Sequence, residues 1–124
     1  MSNRLTQQLD IDYPIIQAPM AGVSTPELAA AVSGAGALGS LGLGSSTVEQ
    51  AETLINRTRR LTTRPFNVNL FCHAPAVRDP QREARWLARL RPEFARFGSL
   101  PPETLAEIYL SFQQQPRMAE LLLD

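Results

Sequence analysis

Residues 18–22 combine small side chains with a position where backbone groups could contact a flat ligand. The segment reads Ala-Pro-Met-Ala-Gly and follows the apolar pair Ile15 and Ile16, a pattern typical of a buried strand that ends in a loop. Small side chains leave the backbone N–H and C=O groups open to a planar ring. An ordinary tight turn explains the segment equally well, and Met20 could instead be a core residue.

Asn69 is the second candidate for contact with a ligand. Its amide can both donate and accept hydrogen bonds, as the polar edge of a planar heterocycle or a sugar hydroxyl requires. Asn67 is predicted on the same side of the same strand, but deeper in it. The alternative is a structural amide that bonds to neighbouring backbone, and this alternative is stronger for Asn67.

Cys72 and His73 are the single cysteine and the single histidine of the chain. Without a second such residue they cannot make a metal site of normal ligand count, so no metal site is expected. His73 could line a pocket, although a lone histidine is more often structural. The spacings support no Ser/His/Asp set and no pair of catalytic carboxylates.

Residues 34–39 match the literal dinucleotide-binding pattern G-x-G-x-x-G. That pattern needs a strand before it and a helix after it, so that a pyrophosphate meets a helix N-terminus. Here the predicted order is reversed, because the glycines follow a helix and enter a strand. A helix stop and close packing explain Gly34, Gly36 and Gly39 better than a dinucleotide site does.

The elements that must position these residues alternate between strands and helices. Strands are predicted at 15–16, 37–42 and 66–71, with helices between them that begin at the capping-box patterns of 24–27 and 46–49. The second helix places its apolar face at Ala51, Leu54, Ile55 and Thr58 and ends in the basic cluster Arg57, Arg59 and Arg60. Short links between such elements require parallel pairing and right-handed crossovers, hence an α/β fold.

The region after Ala74 changes to a helical pattern. A first helix is predicted from the apolar spacing of Leu87, Leu90, Phe94 and Phe97, and Pro92 is expected to break or kink it. A second helical stretch is predicted to start at Pro101 and Pro102 and to run through Leu105, Ile108 and Phe112. A last helix is predicted to begin at Pro116, with an apolar stripe of Met118, Leu121 and Leu122. We interpret residues 74–124 as a helical excursion from the α/β part at 1–73, within one domain over 1–124.

Composition excludes several classes of function. The 124 residues are 44% apolar, enough for one core, and 12 acidic residues balance 12 basic ones, so no nucleic-acid or anionic-membrane partner is expected. All basic residues are arginines, which excludes lysine chemistry. One cysteine excludes an internal disulfide, and no signal peptide or apolar run of roughly 18 residues is present. The expected location is the cytoplasm.

Three parallel strands are too few to close into a barrel, so their sheet would keep two exposed edges. Parallel sheets normally have both faces buried as well. An eight-fold α/β barrel takes about 250 residues, so the chain is expected to supply the N-terminal part of a (β/α)8 TIM barrel, about three of its units, and to be incomplete as given. The alternative is a small complete α/β domain.

Three segments carry a resemblance to a known family. They are 14–22, 36–42 and 66–73, which read PIIQAPMAG, GALGSLG and FNVNLFCH. In this order and spacing they resemble the nitronate monooxygenases, formerly called 2-nitropropane dioxygenases, over essentially the whole chain. The first segment alone is shared in loose form with other flavin barrels.

The resemblance implies an FMN-binding barrel that oxidises alkyl nitronates with O2 to a carbonyl compound and nitrite. It also implies that the segment at 18–22 runs beside the flavin ring, that Asn69 contacts FMN, and that His73 is a candidate for the substrate pocket. The cofactor-binding candidates are Ala18, Pro19, Met20, Ala21, Gly22 and Asn69.

The catalytic histidine of the family is expected on the next strand, beyond Asp124, so no catalytic residue is assigned and His73 is not given that role. Barrels of this type bind the cofactor phosphate at the loops after strands seven and eight. The chain alone is therefore expected to hold FMN weakly or not at all and to be inactive. The alternatives are another FMN-dependent barrel oxidoreductase, resembling an enoyl reductase or inosine monophosphate dehydrogenase, and a non-functional fragment.

Overall fold

The computed structural model describes residues 3–123. Its helices are α1 (Arg4–Leu9), α2 (Pro26–Gly34), α3 (Val48–Leu61), α4 (Pro80–Arg96) and α5 (Pro116–Leu123), and its strands are β1 (Gly39–Gly42) and β2 (Phe66–Asn69). The chain divides into two compact units, one from Met1–Ala74 with Tyr109–Asp124 and the other from Pro75–Ile108. The first unit holds both strands and all the candidate site residues.

The sheet is parallel, as the alternation of strands and helices predicts. β1 pairs with β2 in a register that places Gly39 opposite Phe66 and Gly42 opposite Asn69. On its other side, the segment before β1 forms a parallel bridge between Leu38 and Ile16. Three consecutive segments of the chain therefore lie side by side in sequence order, as they do in an α/β barrel.

The predicted first strand is reduced to that bridge, and the prediction that it is buried is wrong for this chain. Leu38 donates its N–H to the Ile15 carbonyl and accepts from the Gln17 N–H, and the segment then leaves the sheet. Ile15 and Ile16 are 59% and 49% exposed. The reason is that only one edge of this segment has a neighbour among residues 3–123.

The helices cover one face of the sheet and build the core there. The buried cluster consists of Ala29, Leu41, Leu43, Ala51, Ile55 and Met118, drawn from α2, β1, α3 and α5 and the residue after β1. Gly39 is required at the contact between α2 and β1, because a Cβ at this position would overlap the Ala29 carbonyl and lie 2.8 Å from the Ala29 Cα. Close packing is therefore the reason for this glycine.

Threonines cap both helices that flank β1, one residue away from the predicted caps. The Thr25 hydroxyl accepts the Leu28 N–H at 3.2 Å at the start of α2. At α3 the Thr47 hydroxyl accepts the Gln50 N–H at 3.2 Å, and the Gln50 side chain accepts the Thr47 N–H at 2.9 Å. The helices were predicted correctly, but the capping residues are Thr25 and Thr47, because these hydroxyls are the ones that reach the third backbone N–H.

The glycines between α2 and β1 end the helix. α2 finishes at Gly34, and Gly36 has a φ of +90°, a conformation that favours glycine. A Cβ at Gly36 would also lie 2.5 Å from the Asp12 carboxylate. The order is helix, glycines, strand, so the dinucleotide pattern at 34–39 lacks the context that pyrophosphate binding needs.

The second unit contains α4, a single helix that continues through Pro92. The prediction that Pro92 breaks this helix is wrong, whereas a kink at Pro92 stays a prediction. Proline removes one backbone hydrogen bond, and both Pro92 and the residue four before it, Ala88, are exposed, so the freed Ala88 carbonyl is open to water.

The second unit also contains a hydrogen bond outside α4, in which the Leu105 carbonyl accepts from the Arg78 guanidinium at 3.0 Å.

The helix predicted from Pro101 to Phe112 is absent. The segment is irregular, and only a 3-10 turn follows at Phe112–Gln114. Apolar spacing alone cannot start a helix, and the residues before the two prolines, Leu100 and Pro101, have no side-chain acceptor that could cap one. By contrast, α5 begins at Pro116 as predicted, with Met118 fully buried and Leu121 and Leu122 against the core.

Candidate cofactor site

The carboxyl ends of the parallel segments meet at one end of the sheet. A Cβ on Gly42, the last residue of β1, would lie 3.1 Å from the Ala21 nitrogen and 3.2 Å from the Met20 carbonyl carbon. The segment 18–22 therefore lies directly against the end of β1, and Asn69 is the β2 partner of that same Gly42. The structure thus places the two sequence-predicted parts of the site beside each other.

The face of the sheet away from the helices is polar. Leu41 points into the helical core, so the alternating residues Ser40 and Gly42 of β1, with their partners Asn67 and Asn69, share the opposite face. Both asparagines lie on one side of their strand, as predicted. The Asn67 amide donates to the Ser40 hydroxyl at 3.3 Å.

Asn69 differs from Asn67 in that its side-chain amide has no hydrogen-bond partner among residues 3–123. The side chain is half-buried, and the backbone of Asn69 is engaged in the sheet, with its carbonyl accepting the Leu43 N–H at 3.0 Å. A polar group in this state still has its full capacity to donate and accept. This arrangement leaves the Asn69 amide available to a ligand at the carboxyl end.

The segment 18–22 forms a tight loop that uses some of its backbone groups and leaves others open. The Met20 carbonyl accepts the N–H groups of Val23 and Ser24, at 3.1 and 2.8 Å. The N–H groups of Ala21 and Gly22 have no acceptor within the described part of the chain. Met20 is 39% exposed, so it does not serve as a core residue here. Two adjacent N–H donors of the loop are therefore without a partner in the described part of the chain, and one of them, that of Ala21, lies beside the end of β1.

Gln17 and Ser24, which are not among the residues predicted for the site, hold this loop. The Gln17 amide donates to the Ser24 hydroxyl at 3.0 Å and to the Ser40 carbonyl at 3.1 Å. The Ser24 hydroxyl in turn accepts the Met20 N–H at 2.8 Å. No signal for this role was present in the sequence, because Ser24 was predicted as the cap of α2 and the structure assigns that cap to Thr25.

His73 lies further along the chain, where both ring nitrogens contact backbone carbonyls. Nδ1 is 2.9 Å from the Ala74 oxygen and Nε2 is 3.0 Å from the Tyr109 oxygen. The His73 carbonyl accepts the Ser111 hydroxyl at 2.6 Å. A neutral imidazole carries one N–H and can donate to only one of these carbonyls. The assignment of His73 to a substrate pocket stays a prediction.

Charge is absent from the segments that form the site. Residues 15–24, 39–47 and 66–71 contain no titratable side chain. The carboxyls with lowered pKa values lie outside these segments, at the starts of helices. A hydrogen bond from its own backbone N–H lowers the pKa of Glu27, and a hydrogen bond from the Glu49 backbone N–H lowers the pKa of Glu49. No group of three or more metal-ligating side chains occurs within residues 3–123. These segments therefore offer hydrogen-bonding groups without charge, and none of their side chains titrates.

Parallel segments in sequence order, with helices on one face, define the chain as part of an α/β barrel. The chain belongs to the nitronate monooxygenase family, whose family model matches residues 2–97. A nitronate monooxygenase of Pseudomonas aeruginosa is 55% identical over 124 residues, which is 100% of this chain and 35% of that protein. The chain thus spans about a third of that relative's length.

Solved structures support the same assignment of fold. Nitroalkane oxidase from Streptomyces ansochromogenes is similar over 75% of this chain and 26% of its own, with a TM-score of 0.63 and 42% identity. FabK from Thermotoga maritima is similar over 60% of this chain and 24% of its own, with a TM-score of 0.57 and 40% identity. Both are TIM-barrel enzymes, so the predicted fold class, an incomplete barrel, is confirmed.

No helix within residues 3–123 has the length and apolar character that a membrane span requires.

Proposed function

We propose that the protein containing this chain is an FMN-dependent enzyme that oxidises alkyl nitronates with O2 to a carbonyl compound and nitrite. The observation that carries this proposal is the meeting of the 18–22 loop with the Asn69 strand end in a chain that belongs to the nitronate monooxygenase family. The substrates and the activity are proposed for the whole protein, of which this chain supplies one wall of the flavin site.

The residues present fit the ring of FMN. A flavin ring has a planar apolar part and a pyrimidine part rich in hydrogen-bond acceptors. The loop offers the unpaired N–H groups of Ala21 and Gly22, and Asn69 offers an amide without a partner among residues 3–123. Gly42 has no side chain to separate the loop from β1. Ala18, Pro19, Met20, Ala21, Gly22 and Asn69 are therefore proposed to bind the cofactor.

Each part of the site has a proposed role. The loop would set the position of the ring, and the Asn69 amide would fix its orientation within the plane. When bound, FMN supplies the redox chemistry by which electrons leave the anionic nitronate and reach O2. Since the site segments of this chain carry no titratable group, any proton transfer is assigned to residues outside them. His73 is also proposed to line the substrate pocket.

A nitrite-release assay tests the proposed function. The protein, loaded with FMN, is mixed with a preformed alkyl nitronate in air, and nitrite is measured against the neutral nitroalkane as a control. Nitrite that depends on the nitronate, on FMN and on O2 supports the proposal. Absence of nitrite together with oxidation of a reduced nicotinamide would instead support the alternative, another FMN-dependent barrel oxidoreductase.

The remaining expectations are of lower consequence for the mechanism. A cytoplasmic location and the absence of nucleic-acid and membrane partners rest on composition and stay predictions. A protein that binds no FMN under any condition would support the other alternative, a non-functional fragment.

A further inference from the structure

Gln17 stands at the point where the first segment leaves the sheet. Its backbone N–H makes the last main-chain contact, a bond of 2.9 Å to the Leu38 carbonyl. Beyond that point the Gln17 side chain replaces the main chain as the hydrogen-bonding partner of β1. Its amide donates to the Ser40 carbonyl at 3.1 Å and accepts the Ser40 N–H at 3.3 Å. The side-chain amide thus pairs with Ser40 as a further strand residue would, and the main chain is free to turn.

Ser24 stands at the other end of the loop and links back to both Gln17 and the loop backbone. Its hydroxyl accepts from the Gln17 amide at 3.0 Å and from the Met20 N–H at 2.8 Å, and it donates to the Ala18 carbonyl at 3.3 Å. A hydroxyl can accept two hydrogen bonds and donate one, so its capacity is fully used. The Ser24 hydroxyl therefore links the Gln17 side chain to the backbone of the loop at Ala18 and Met20.

These contacts determine which backbone groups the loop presents. The Met20 N–H and the Ala18 carbonyl are occupied by Ser24, and the Met20 carbonyl is occupied by main-chain donors. The donors left without a partner in the described part of the loop include the adjacent N–H groups of Ala21 and Gly22. Gly42 allows this arrangement to rest directly on β1.

We propose that Gln17 and Ser24 are positioning residues that hold the 18–22 loop in the conformation that receives the flavin ring. The proposal rests on the proposed function, since the ligand of the loop is the FMN assigned there. Neither side chain needs to touch the flavin. Each acts through the backbone of the loop, by fixing the peptide groups that do touch it.

The test uses the full-length protein that contains this chain and compares its Ser24→Ala and Gln17→Met variants with the wild type. Ser24→Thr keeps the hydroxyl and is the rescue variant. Ser99→Ala and Gln8→Met are matched controls, because both side chains are exposed and make no hydrogen bond within the described residues. The first readout needs no flavin: hydrogen exchange of the Met20 amide, followed by NMR. The second is FMN affinity from flavin fluorescence, together with the visible circular dichroism of the bound flavin.

Ser24→Ala is expected to speed exchange of the Met20 amide by about tenfold or more, and both variants are expected to weaken FMN binding by about tenfold and change the visible circular dichroism. Ser24→Thr and the two controls are expected to match the wild type. Unchanged Met20 exchange in Ser24→Ala would show that Ser24 does not hold the loop. Faster exchange with unchanged FMN affinity and spectrum would overturn its role in positioning. A full-length wild-type protein that binds no FMN would instead refute the proposed function itself.

Discussion

At the scale of single residues, hydrogen bonding distinguishes Asn67 from Asn69, although their spacing of two residues places both on the same side of the strand. Asn67 and Asn69 lie on the same face of β2, but the Asn67 amide bonds to the Ser40 hydroxyl, whereas the Asn69 amide has no partner within residues 3–123. Half-buried polar groups are usually satisfied by protein, water or a ligand. This difference supports Asn69 as the residue of the pair that contacts the cofactor.

Replacement of Asn69 by alanine is expected to weaken FMN binding by about tenfold, because one hydrogen bond to the ligand is lost. The free energy of unfolding of the apoprotein should change little, since no protein hydrogen bond of this side chain is removed. Equilibrium titration with FMN and urea unfolding measure the two effects. Asn67→Ala is the matched variant and should show the reverse pattern, with a loss of stability and a smaller loss of affinity. Equal FMN affinity in Asn69→Ala and wild type would contradict the assignment.

Gly42 allows a second residue-scale prediction. A Cβ at this position would lie 3.1 to 3.3 Å from backbone atoms of Met20 and Ala21, which is tight but can be relieved by a small shift of an exposed loop. Gly42→Ala is therefore expected to displace the loop and lower FMN affinity while the protein remains folded. Amide chemical shifts of Ala21 and Gly22 measure the displacement. Unchanged shifts at both residues would show that the loop does not rest on β1.

At the scale of elements, local patterns predicted the helices that combine an apolar face with a polar start. α2, α3 and α5 were anticipated, and Ala51, Ile55 and Thr58 face the core as expected. The pattern failed where spacing was its only support, between Pro101 and Phe112. The capping residues were also displaced by one, because adjacent Ser and Thr residues offer the same hydroxyl and only three-dimensional geometry shows which one reaches the helix.

The contact between α2 and β1 depends on the absence of a side chain at Gly39. A Cβ there would lie 2.8 Å from the Ala29 Cα, and helix backbone cannot move aside as a flexible side chain can. Gly39→Ala is expected to lower the free energy of unfolding by about 3 kcal/mol. Gly34→Ala is the matched control, since a Cβ there would meet no heavy atom within 4 Å, and it should stabilise by about 0.5 kcal/mol. Similar unfolding midpoints for the two variants would contradict this packing.

Carboxylates at the helix starts give the fold a defined response to acid. Hydrogen bonds from their own backbone N–H groups lower the pKa of Glu27 and the pKa of Glu49 from the ordinary value of 4.5. A carboxyl whose pKa is lower in the folded state adds stability above pH 4.5, and this stability is lost as the pH falls through the lowered value.

The double variant Glu27→Gln, Glu49→Gln is therefore expected to lose less stability than wild type between about pH 6 and about pH 3. Urea unfolding midpoints at the two pH values provide the measurement. Glu52→Gln, an exposed carboxyl without an ion pair in the described residues, is the control and should behave as wild type. An identical loss in wild type and double variant would show that these two carboxylates do not contribute to the acid response.

At the scale of the whole molecule, the fold class was predictable because strand and helix periods are local properties of the sequence. The site was only partly predictable. Small residues at 18–22 and the position of Asn69 pointed to the carboxyl edge, but the contacts of Gln17 and Ser24 depend on β1, which is distant in sequence. The exposure of Ile15 and Ile16 likewise depends on what pairs with the open sheet edge.

The 124-residue chain, produced by itself, is expected to lose added FMN on a desalting column. The proposed site would contact only the flavin ring, whereas barrels of this class bind the cofactor phosphate at the loops after strands seven and eight. The visible absorbance of the protein fraction provides the readout, and the full-length protein that contains this chain is the comparison. Retained flavin absorbance in the 124-residue chain would show that its three parallel segments are a sufficient site.

The most direct test of the central claim is a crystal structure of the FMN-loaded protein. We predict that the flavin ring lies against the 18–22 loop, with the Asn69 amide and at least one of the Ala21 and Gly22 N–H groups within about 3.2 Å of ring heteroatoms. A flavin ring bound elsewhere, with the loop and Asn69 in contact only with protein or water, would contradict the assignment of the carboxyl end of these strands as the cofactor site.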